Sequence, residues 1–217
     1  MKINIIFIGI VLLTVLTLSC NSNSNPKDFD YGKVENNKYH NSFFKFEMDL
    51  PSNWVVQTKE QTDNITKMGQ ELVAGDDENM KAVIKASEIN SANLLTIFKY
   101  EVGTPVEYNP NFSLIAENLK NAPGIKTGSD YLFQSRRILE QSQVQYDQID
   151  QEFKKEMINN KEFYLMNASI NYMGLSIKQV YYSTIQNGFC LSIVISFIDD
   201  EQKMDLDKII NSLKFIK

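Results

Sequence analysis

Few residues in this chain of 217 residues can support nucleophilic catalysis, because it holds one histidine, His40, and two cysteines, Cys20 and Cys190. A serine or cysteine nucleophile needs a neighbouring base, so His40 would have to serve any such site. No Gly-x-Ser-x-Gly segment offers a serine nucleophile. Cys190 lies in an apolar run, where a thiol stays protonated and packs as a small hydrophobic side chain. A dyad of His40 with Cys190 would depend on an accident of folding, so the sequence predicts no catalytic residues.

Carboxylates are the other groups that could do chemistry. The densest acidic stretch, residues 76–79, lacks the spaced ligands of a calcium loop, and we interpret it as a solvated turn. The acidic residues 199–201 are better explained as charges at the start of a helix. No glycine-rich phosphate loop is present, and a net charge of −5 disfavours nucleic acid as a partner. We therefore expect no metal and no cofactor, and a hydrolase with paired carboxylates remains the weakest alternative.

A polar stripe on one predicted strand is the best candidate for a binding surface. Asn167, Ser169 and Asn171 alternate with an apolar stripe that is typical of a core face. If no helix covers the polar side, these three residues could line a shallow groove.

Cys20 closes the first apolar run of the chain, which extends from residue 5 to residue 18 after Lys2. Fourteen residues of helix reach about 21 Å, short of the roughly 30 Å hydrocarbon core of a bilayer. The run is therefore typical of a signal peptide rather than a permanent span. Its end, Leu-Thr-Leu-Ser-Cys, resembles a bacterial lipobox, with Thr17 in place of the usual leucine. The resemblance implies that residues 1–19 are a lipoprotein signal peptide and that Cys20 carries the lipid.

The segment after Cys20 is polar and of low complexity, which predicts a flexible tether over residues 20–38. From Tyr39 the composition is steady, and we predict a single domain over residues 39–217. A lipid-anchored chain of this kind would face the periplasm or the cell exterior, and its membrane contact would come from the lipid anchor.

Alternation of apolar residues predicts most of the strands in this domain. The predicted strands cover residues 44–50, 54–56, 80–89, 94–102, 143–149, 153–158, 162–172, 175–185 and 189–198. An Asn-Gly pair at residues 187–188 is a strong hairpin signal between the last two of these. Helical spacing predicts a helix after Thr62, a short helix over residues 114–119, one from Ser129 or Asp130 to Gln141, and one after residue 199.

The last predicted strand is apolar on both faces, so it must be central and covered on both sides. Helices on both faces of a mainly antiparallel sheet give an α/β fold of the α+β type, a three-layer α/β/α sandwich.

The two ends of the predicted domain carry a family resemblance. Residues 39–54 place an aromatic strand before Pro51 and Trp54, and residues 208–215 form a helix that runs into a Ser-Leu-Lys-Phe tail. Both segments resemble those of the PsbP-like family, in particular its bacterial lipoprotein branch related to DcrB. The resemblance implies an α/β/α sandwich and an accessory or binding role without catalytic residues.

Three functions from different classes follow from these patterns. The leading hypothesis is a non-catalytic, lipid-anchored accessory protein of the cell envelope that binds another envelope protein. The second is a lipoprotein that binds a small molecule or a lipid in a cavity between sheet and helix. The third is an enzyme, a hydrolase that uses carboxylates, and loss of an activity on changing His40 would favour it.

Overall fold

A large antiparallel sheet organises the protein in a computed structural model, which describes residues 26–216. Twelve strands and four helices are found within that range. The strands are β1 (Lys33–Glu35), β2 (Lys38–Asn41), β3 (Phe46–Asp49), β4 (Val55–Val56), β5 (Ser91–Phe98), β6 (Asn111–Asn118), β7 (Gln148–Ile149), β8 (Lys154–Ile158), β9 (Lys161–Tyr172), β10 (Leu175–Gln186), β11 (Phe189–Phe197) and β12 (Lys214–Phe215). The helices are α1 (Lys59–Ala74), α2 (Glu78–Glu88), α3 (Gly128–Gln141) and α4 (Asp200–Ser212).

Eight of the strands in the described range form the large sheet, in the order β4-β5-β6-β11-β10-β9-β7, with β8 also pairing with β9. A smaller sheet has the order β1-β2-β3-β12. All of the strand pairs are antiparallel, as the sequence predicted. The β9-β10-β11 meander lies within a residue of its predicted bounds, and Asn187 and Gly188 both adopt positive φ at its second turn.

Strand β11 lies at the centre of the large sheet, and every one of its residues is buried. Phe189, Leu191, Ile193, Ile195 and Phe197 pack into one core, as the alternation predicted. Val194 packs on the opposite face against helices α1, α2 and α3. The prediction of a central strand covered on both sides is therefore confirmed.

Different layers cover the two faces of the large sheet. Leu206, Ile209 and Ile210 of α4 share one core with Phe46 and Met48 of the small sheet. Val73, Met80 and Leu132, from the other three helices, share a second core on the opposite face. The predicted three-layer α/β/α sandwich is thus observed, with the small sheet lying beside α4. Within residues 26–216, every helix is too short or too polar to cross a membrane.

Side-chain caps set where the helices begin, and two of the predicted caps were wrong. Thr58, not Thr62, caps α1 through a reciprocal capping box with Gln61. Thr127 caps α3, and the predicted cap Asp130 instead completes that capping box from the third helical position. Both predicted starts lie within a few residues of the observed caps. The reason is that threonine and aspartate, which can cap a helix, occur more than once within a turn of each start.

Two elements were predicted as the wrong type. Residues 80–89 were predicted as a strand but lie in helix α2, where Asp77 caps the start and only Met80 and Ser87 are buried. Residues 114–119 were predicted as a short helix, but Leu114 and Ile115 lie in strand β6. Almost every residue of β6 is buried, so the strand shows no alternation that could distinguish it from a helix.

Folded structure is found before the predicted domain start at Tyr39. Strand β1 lies inside the segment predicted as a tether, and its Lys33 pairs with His40. Phe29 packs against the main core, and Asp30 accepts hydrogen bonds from the backbone N–H and the hydroxyl of Ser42. The predicted tether therefore extends too far towards the C-terminus. Isolated apolar residues in a polar stretch gave no periodic signal that could have predicted the earlier start of the fold. Cys20 and the predicted signal peptide 1–19 lie outside the described residues.

Candidate functional site

A groove beside the start of α4 contains two of the three residues of the predicted polar stripe. It has a volume of about 420 Å³, and Asn167 and Ser169 line it together with Lys178, Asp200 and Lys203. Helix α4 forms one wall, so the polar face of β9 is partly covered rather than open. Asn171 lies farther along β9, opposite Ser176, and does not line the groove.

The Asn167 side chain is engaged within the protein. Its Nδ2 donates to Asp150 Oδ2 at 2.6 Å, and its backbone N–H donates to the same oxygen at 2.9 Å. The Asp150 N–H in turn donates to the Asn167 carbonyl oxygen. Asn167 therefore holds the loop after β7 against β9. A ligand-binding role for Asn167, Ser169 and Asn171 stays a prediction. Unchanged ligand binding in a double variant, Asn167→Ala with Asn171→Ala, would contradict it.

His40 and Cys190 lie in different layers of the sandwich. His40 is in the small sheet, between Lys33 and Glu47, and its neighbour Tyr39 points into the core instead. Cys190 is fully buried on the far side of the large sheet, next to Tyr131 of α3. Burial raises the pKa of the Cys190 thiol well above its ordinary value, which keeps the thiol protonated. The two residues do not form a catalytic dyad.

A buried polar pair next to Cys190 was missed by the sequence analysis. The Tyr131 hydroxyl donates to Glu117 Oε2 at 3.0 Å, and both side chains are buried. Burial and the nearby Glu117 carboxylate raise the pKa of Tyr131 well above 10. Strand pairing places Glu117 directly opposite Cys190. The pair fixes α3 against the sheet, and a carboxylate inside a run of apolar residues was the one signal for it.

The acidic stretch at residues 76–79 is used to start a helix. Asp77 Oδ1 accepts hydrogen bonds from the backbone N–H groups of Asn79 and Met80, at 2.8 and 3.0 Å. Across the described chain, no three His, Cys, Asp or Glu side chains cluster in a way that could hold a metal ion. The stretch is exposed, as interpreted, but only Asp76 lies in a turn, because Asp77 caps α2 and residues 78–79 are its first turn.

A second groove follows the edge of the large sheet, and we call it the β5 edge groove. In the described chain, β4 pairs with β5 only at Ile97 and Phe98, after which the Gln57 N–H donates to the Thr96 carbonyl oxygen. The chain then turns into α1 and leaves the sheet. Residues 91–95 consequently form an edge that faces a cavity of about 420 Å³. Strand β1 forms one wall of this cavity, and helix α1 forms the other.

Gln57 is an unusual residue of this groove. Only 7% of the surface of Gln57 is exposed, and its Nε2 donates to the Val55 carbonyl oxygen. Gln57 Oε1 is buried and has no hydrogen-bond partner among the residues described. A buried acceptor of this kind costs free energy unless a donor reaches it. No sequence motif marks Gln57, so its role could be seen only from the fold.

Exposed apolar side chains border the β5 edge groove. Tyr31, Val34 and Val56 are 50%, 37% and 41% exposed, and all three line the cavity. Two oppositely charged residues of α1, Lys59 and Asp63, form an ion pair at 2.6 Å on the same rim. The groove thus presents apolar contacts and a strand edge, and its lining also includes the Glu88 carboxylate, for which no ion pair is found among the described residues.

A third groove lies between α2 and α3 and has a volume of about 540 Å³. Met80, Val83, Ile138 and Phe153 make much of its wall apolar, and Phe133 at its rim is 45% exposed. Arg137 is the cationic residue of its lining. The groove could accept an apolar molecule that carries an acidic group.

No protein-family model matches this sequence, and no curated protein matches it. The structure is similar to several solved structures. Cyanobacterial PsbP from Synechocystis is 13% identical with a TM-score of 0.49, over 89% of this chain and 98% of that one. LpqN from Mycobacterium tuberculosis, described as involved in cell envelope biogenesis, is 12% identical with a TM-score of 0.44, over 78% and 82% of the two chains.

A protein from Bacteroides thetaiotaomicron is 13% identical with a TM-score of 0.44, and the match covers 85% of this chain. The match covers 50% of the Bacteroides protein, so the present chain spans about half of its length. At sequence identities of 12–13%, these matches concern the fold and say nothing about function. The relation to the PsbP-like family therefore still depends on the two sequence segments given above.

Proposed function

We propose that the protein is a non-catalytic accessory protein of the bacterial cell envelope, held to a membrane by lipid on Cys20 and bound to another envelope protein. The observation that carries this proposal is the position of Phe29, which packs on the core only nine residues after Cys20. Residues 21–28 can span at most about 30 Å when fully extended. A lipid at Cys20 would therefore hold the folded domain close to the bilayer, where membrane proteins are its neighbours.

The location of the two PsbP-like segments supports the family assignment, in the lipoprotein branch related to DcrB. In the structure, Lys214 and Phe215 pair with Glu47 and Phe46. The two segments that carry the resemblance thus meet in the small sheet, through the pairing of β12 with β3, although they are far apart in sequence. The separation of His40 from Cys190 supports the non-catalytic part of the proposal.

Binding of a small molecule or a lipid is the second candidate function, and the groove between α2 and α3 favours it. Its volume of about 540 Å³ falls within the range of known ligand pockets. An apolar molecule extracted from the purified protein, together with loss of that molecule in a Phe133→Asp variant, would support this second function.

Co-purification tests the leading proposal. The full chain would carry a C-terminal tag, membranes would be solubilised gently, and mass spectrometry would identify what is recovered. A matched Cys20→Ala chain is the control, because it keeps the domain and removes the lipid attachment site. We expect a stoichiometric membrane protein with the natural chain, and less of it with the Cys20→Ala chain.

Two results would contradict the proposal. Recovery of the natural chain without any stoichiometric protein would remove the accessory role and favour ligand binding. An unchanged membrane fraction of the Cys20→Ala chain would show that the lipid on Cys20 does not anchor the protein.

A further inference from the structure

We propose that the β5 edge groove binds an extended segment of a partner protein, which adds to the large sheet as a further strand next to β5. This inference rests on the proposed protein-binding function and names how the partner is bound. It commits to a polypeptide in β conformation with apolar side chains at alternate positions.

The backbone of β5 is the first reason for a polypeptide. Strand β5 pairs with β6 along its other side, from Ser91 to Phe98. On the groove side, pairing with the β4 segment ends at Thr96. Residues 91–95 present about 17 Å of strand edge with N–H and C=O groups, interrupted by a bulge at Leu94, where the β5–β6 register shifts. Another extended backbone is the ligand that matches this repeat.

Gln57 is the second, independent reason. Gln57 lines the groove at the point where the β4 pairing ends, and its buried Oε1 lacks a donor among residues 26–216. A strand that continues the β4 pairing along β5 would bring backbone N–H groups to this position. One of them could donate to Gln57 Oε1 and remove the cost of an unpaired buried acceptor.

The rim specifies the side chains of the partner. Tyr31 and Val34 are exposed apolar residues on the β1 side of the strand edge, and Val56 is an exposed apolar residue at the end where β4 stops pairing. Since side chains of an added strand alternate between its two faces, every second residue would contact this rim. Apolar residues at those positions would bury the exposed apolar surface, whereas charged residues there would lose hydration against apolar side chains.

The walls of the groove favour a single strand over a second copy of this chain. Strand β1 and helix α1 flank the edge, so β5 is recessed and the edge of another folded sheet would meet the walls first. The polar segment 21–25 of this chain consists of Asn and Ser and has no apolar side chain to match the rim. The apolar run 5–18 belongs to the segment that the proposed lipoprotein processing removes, so the occupant is a segment of another protein.

A peptide selection with matched variants tests the proposal. The probes are nine-residue peptides displayed on phage, random at every second position and restricted to Val, Ile, Leu or Tyr at the others. They are selected on the full chain in detergent, synthesised, and measured by fluorescence anisotropy. Val56→Lys changes the exposed rim, Gln57→Leu removes the buried acceptor, and Met173→Lys is the control. Met173 is 75% exposed in the β9-β10 turn and does not line the groove.

We expect selected peptides to bind about ten-fold more weakly to the Val56→Lys and Gln57→Leu variants, and within about two-fold of wild type to Met173→Lys. Bound peptide should also slow hydrogen exchange of backbone amides between residues 91 and 95. Equal binding to all variants, slowed exchange elsewhere, or failure to select any peptide would overturn the proposal. A dimer that the Val56→Lys variant abolishes would also overturn it, because the occupant would be a second copy.

The test of the β5 edge groove can succeed or fail independently of the test of the proposed function. An envelope protein that still co-purifies with the Val56→Lys chain would keep the accessory role and overturn the groove. Peptides that bind the groove while no envelope protein co-purifies would support the groove and contradict the proposed function.

Discussion

The ring of Phe29 lies against the ring of Phe189, with centroids 5.4 Å apart and an angle of 34° between the planes. Phe189 is the first residue of the central strand β11 and is almost completely buried. The rings of Tyr31, Phe43 and Phe44 also surround Phe29, with centroids at 5.2, 5.3 and 5.9 Å. The start of the described chain is thus attached to the centre of the fold, next to the turn that joins β10 to β11.

Replacing Phe29 with alanine should release this attachment. Because Phe29 is only partly buried, we expect the free energy of unfolding to fall by about 1–2 kcal/mol, less than for a fully buried phenylalanine. Urea unfolding followed by fluorescence of Trp54, the single tryptophan, measures the change. Protease cleavage near residues 26–35 should become faster. Tyr100→Ala is the control, since Tyr100 is 40% exposed and should change stability much less. Equal losses in both variants would contradict the attachment.

A close backbone approach fixes the start of α3 against β10. A Cβ atom placed on Gly128 would lie 2.3 Å from the Ser183 carbonyl oxygen, and the Ser183 hydroxyl already donates to the Gly128 carbonyl oxygen at 2.8 Å. Gly128→Ala should therefore destabilise the protein by about 1–3 kcal/mol, because backbone atoms must move apart. Gly124→Ala is a matched control, since its Cβ would meet nothing within 4 Å, and it should change stability by less than about 0.5 kcal/mol. Thermal unfolding of both variants gives the comparison, and a stable Gly128→Ala protein would show that the two elements are not in close contact.

The clamp between Asn167 and Asp150 should control the loop after β7. Asn167→Ala removes the Nδ2 hydrogen bond to Asp150 Oδ2 but keeps the backbone pairing of β9. We expect faster hydrogen exchange at residues 147–151, with global stability lowered by about 1 kcal/mol. Asn171→Ala on the same face of β9 is the control and should leave the loop unchanged. If both variants exchange alike, the clamp does not hold this loop.

The features that could be predicted from sequence are those with local signals. The β9-β10-β11 meander has alternation in each strand and positive-φ turn residues at Gly174 and Gly188. Helix α4 follows an acidic start, with Asp199 as its cap. The predictions of element type for strand β6 and helix α2 failed for opposite reasons. The first is buried on both faces, and the second lies at the edge of the helical layer with little burial.

The β5 edge groove could not be predicted, because its parts come from distant segments. Val34, Gln57 and Ala92 line it together, and none belongs to a motif. The exposed edge depends on where β4 stops pairing, which is set by the early turn into α1 after Gln57. The polar stripe of β9 was visible through alternation, but its cover by α4 and its clamp to Asp150 are tertiary contacts.

An ion pair between Lys99, the residue after β5, and α4 should make stability depend on pH in the acid range. Lys99 Nζ lies 3.0 Å from Asp205 Oδ2, and Lys208 Nζ lies 2.9 Å from Asp205 Oδ1. These hydrogen bonds lower the pKa of Asp205 below its ordinary value of 3.8. The charged carboxylate therefore stabilises the fold above that ordinary value, and its contribution is lost as the pH falls through the lowered pKa.

Asp205→Asn tests this ion pair by removing the charge while keeping the shape of the side chain. Because Asp205 is partly exposed, we expect a loss of about 1 kcal/mol at pH 7. The difference from wild type should shrink towards zero once the pH is well below the lowered pKa, because the wild-type carboxyl is then neutral as well. Asp63→Asn is the control, since its ion pair with Lys59 is more exposed and should contribute almost nothing. Urea unfolding of the three proteins across the acid range gives the measurement. If the difference in unfolding free energy between Asp205→Asn and wild type stays constant with pH, the charge of the Asp205 carboxylate does not stabilise the contact between α4 and Lys99.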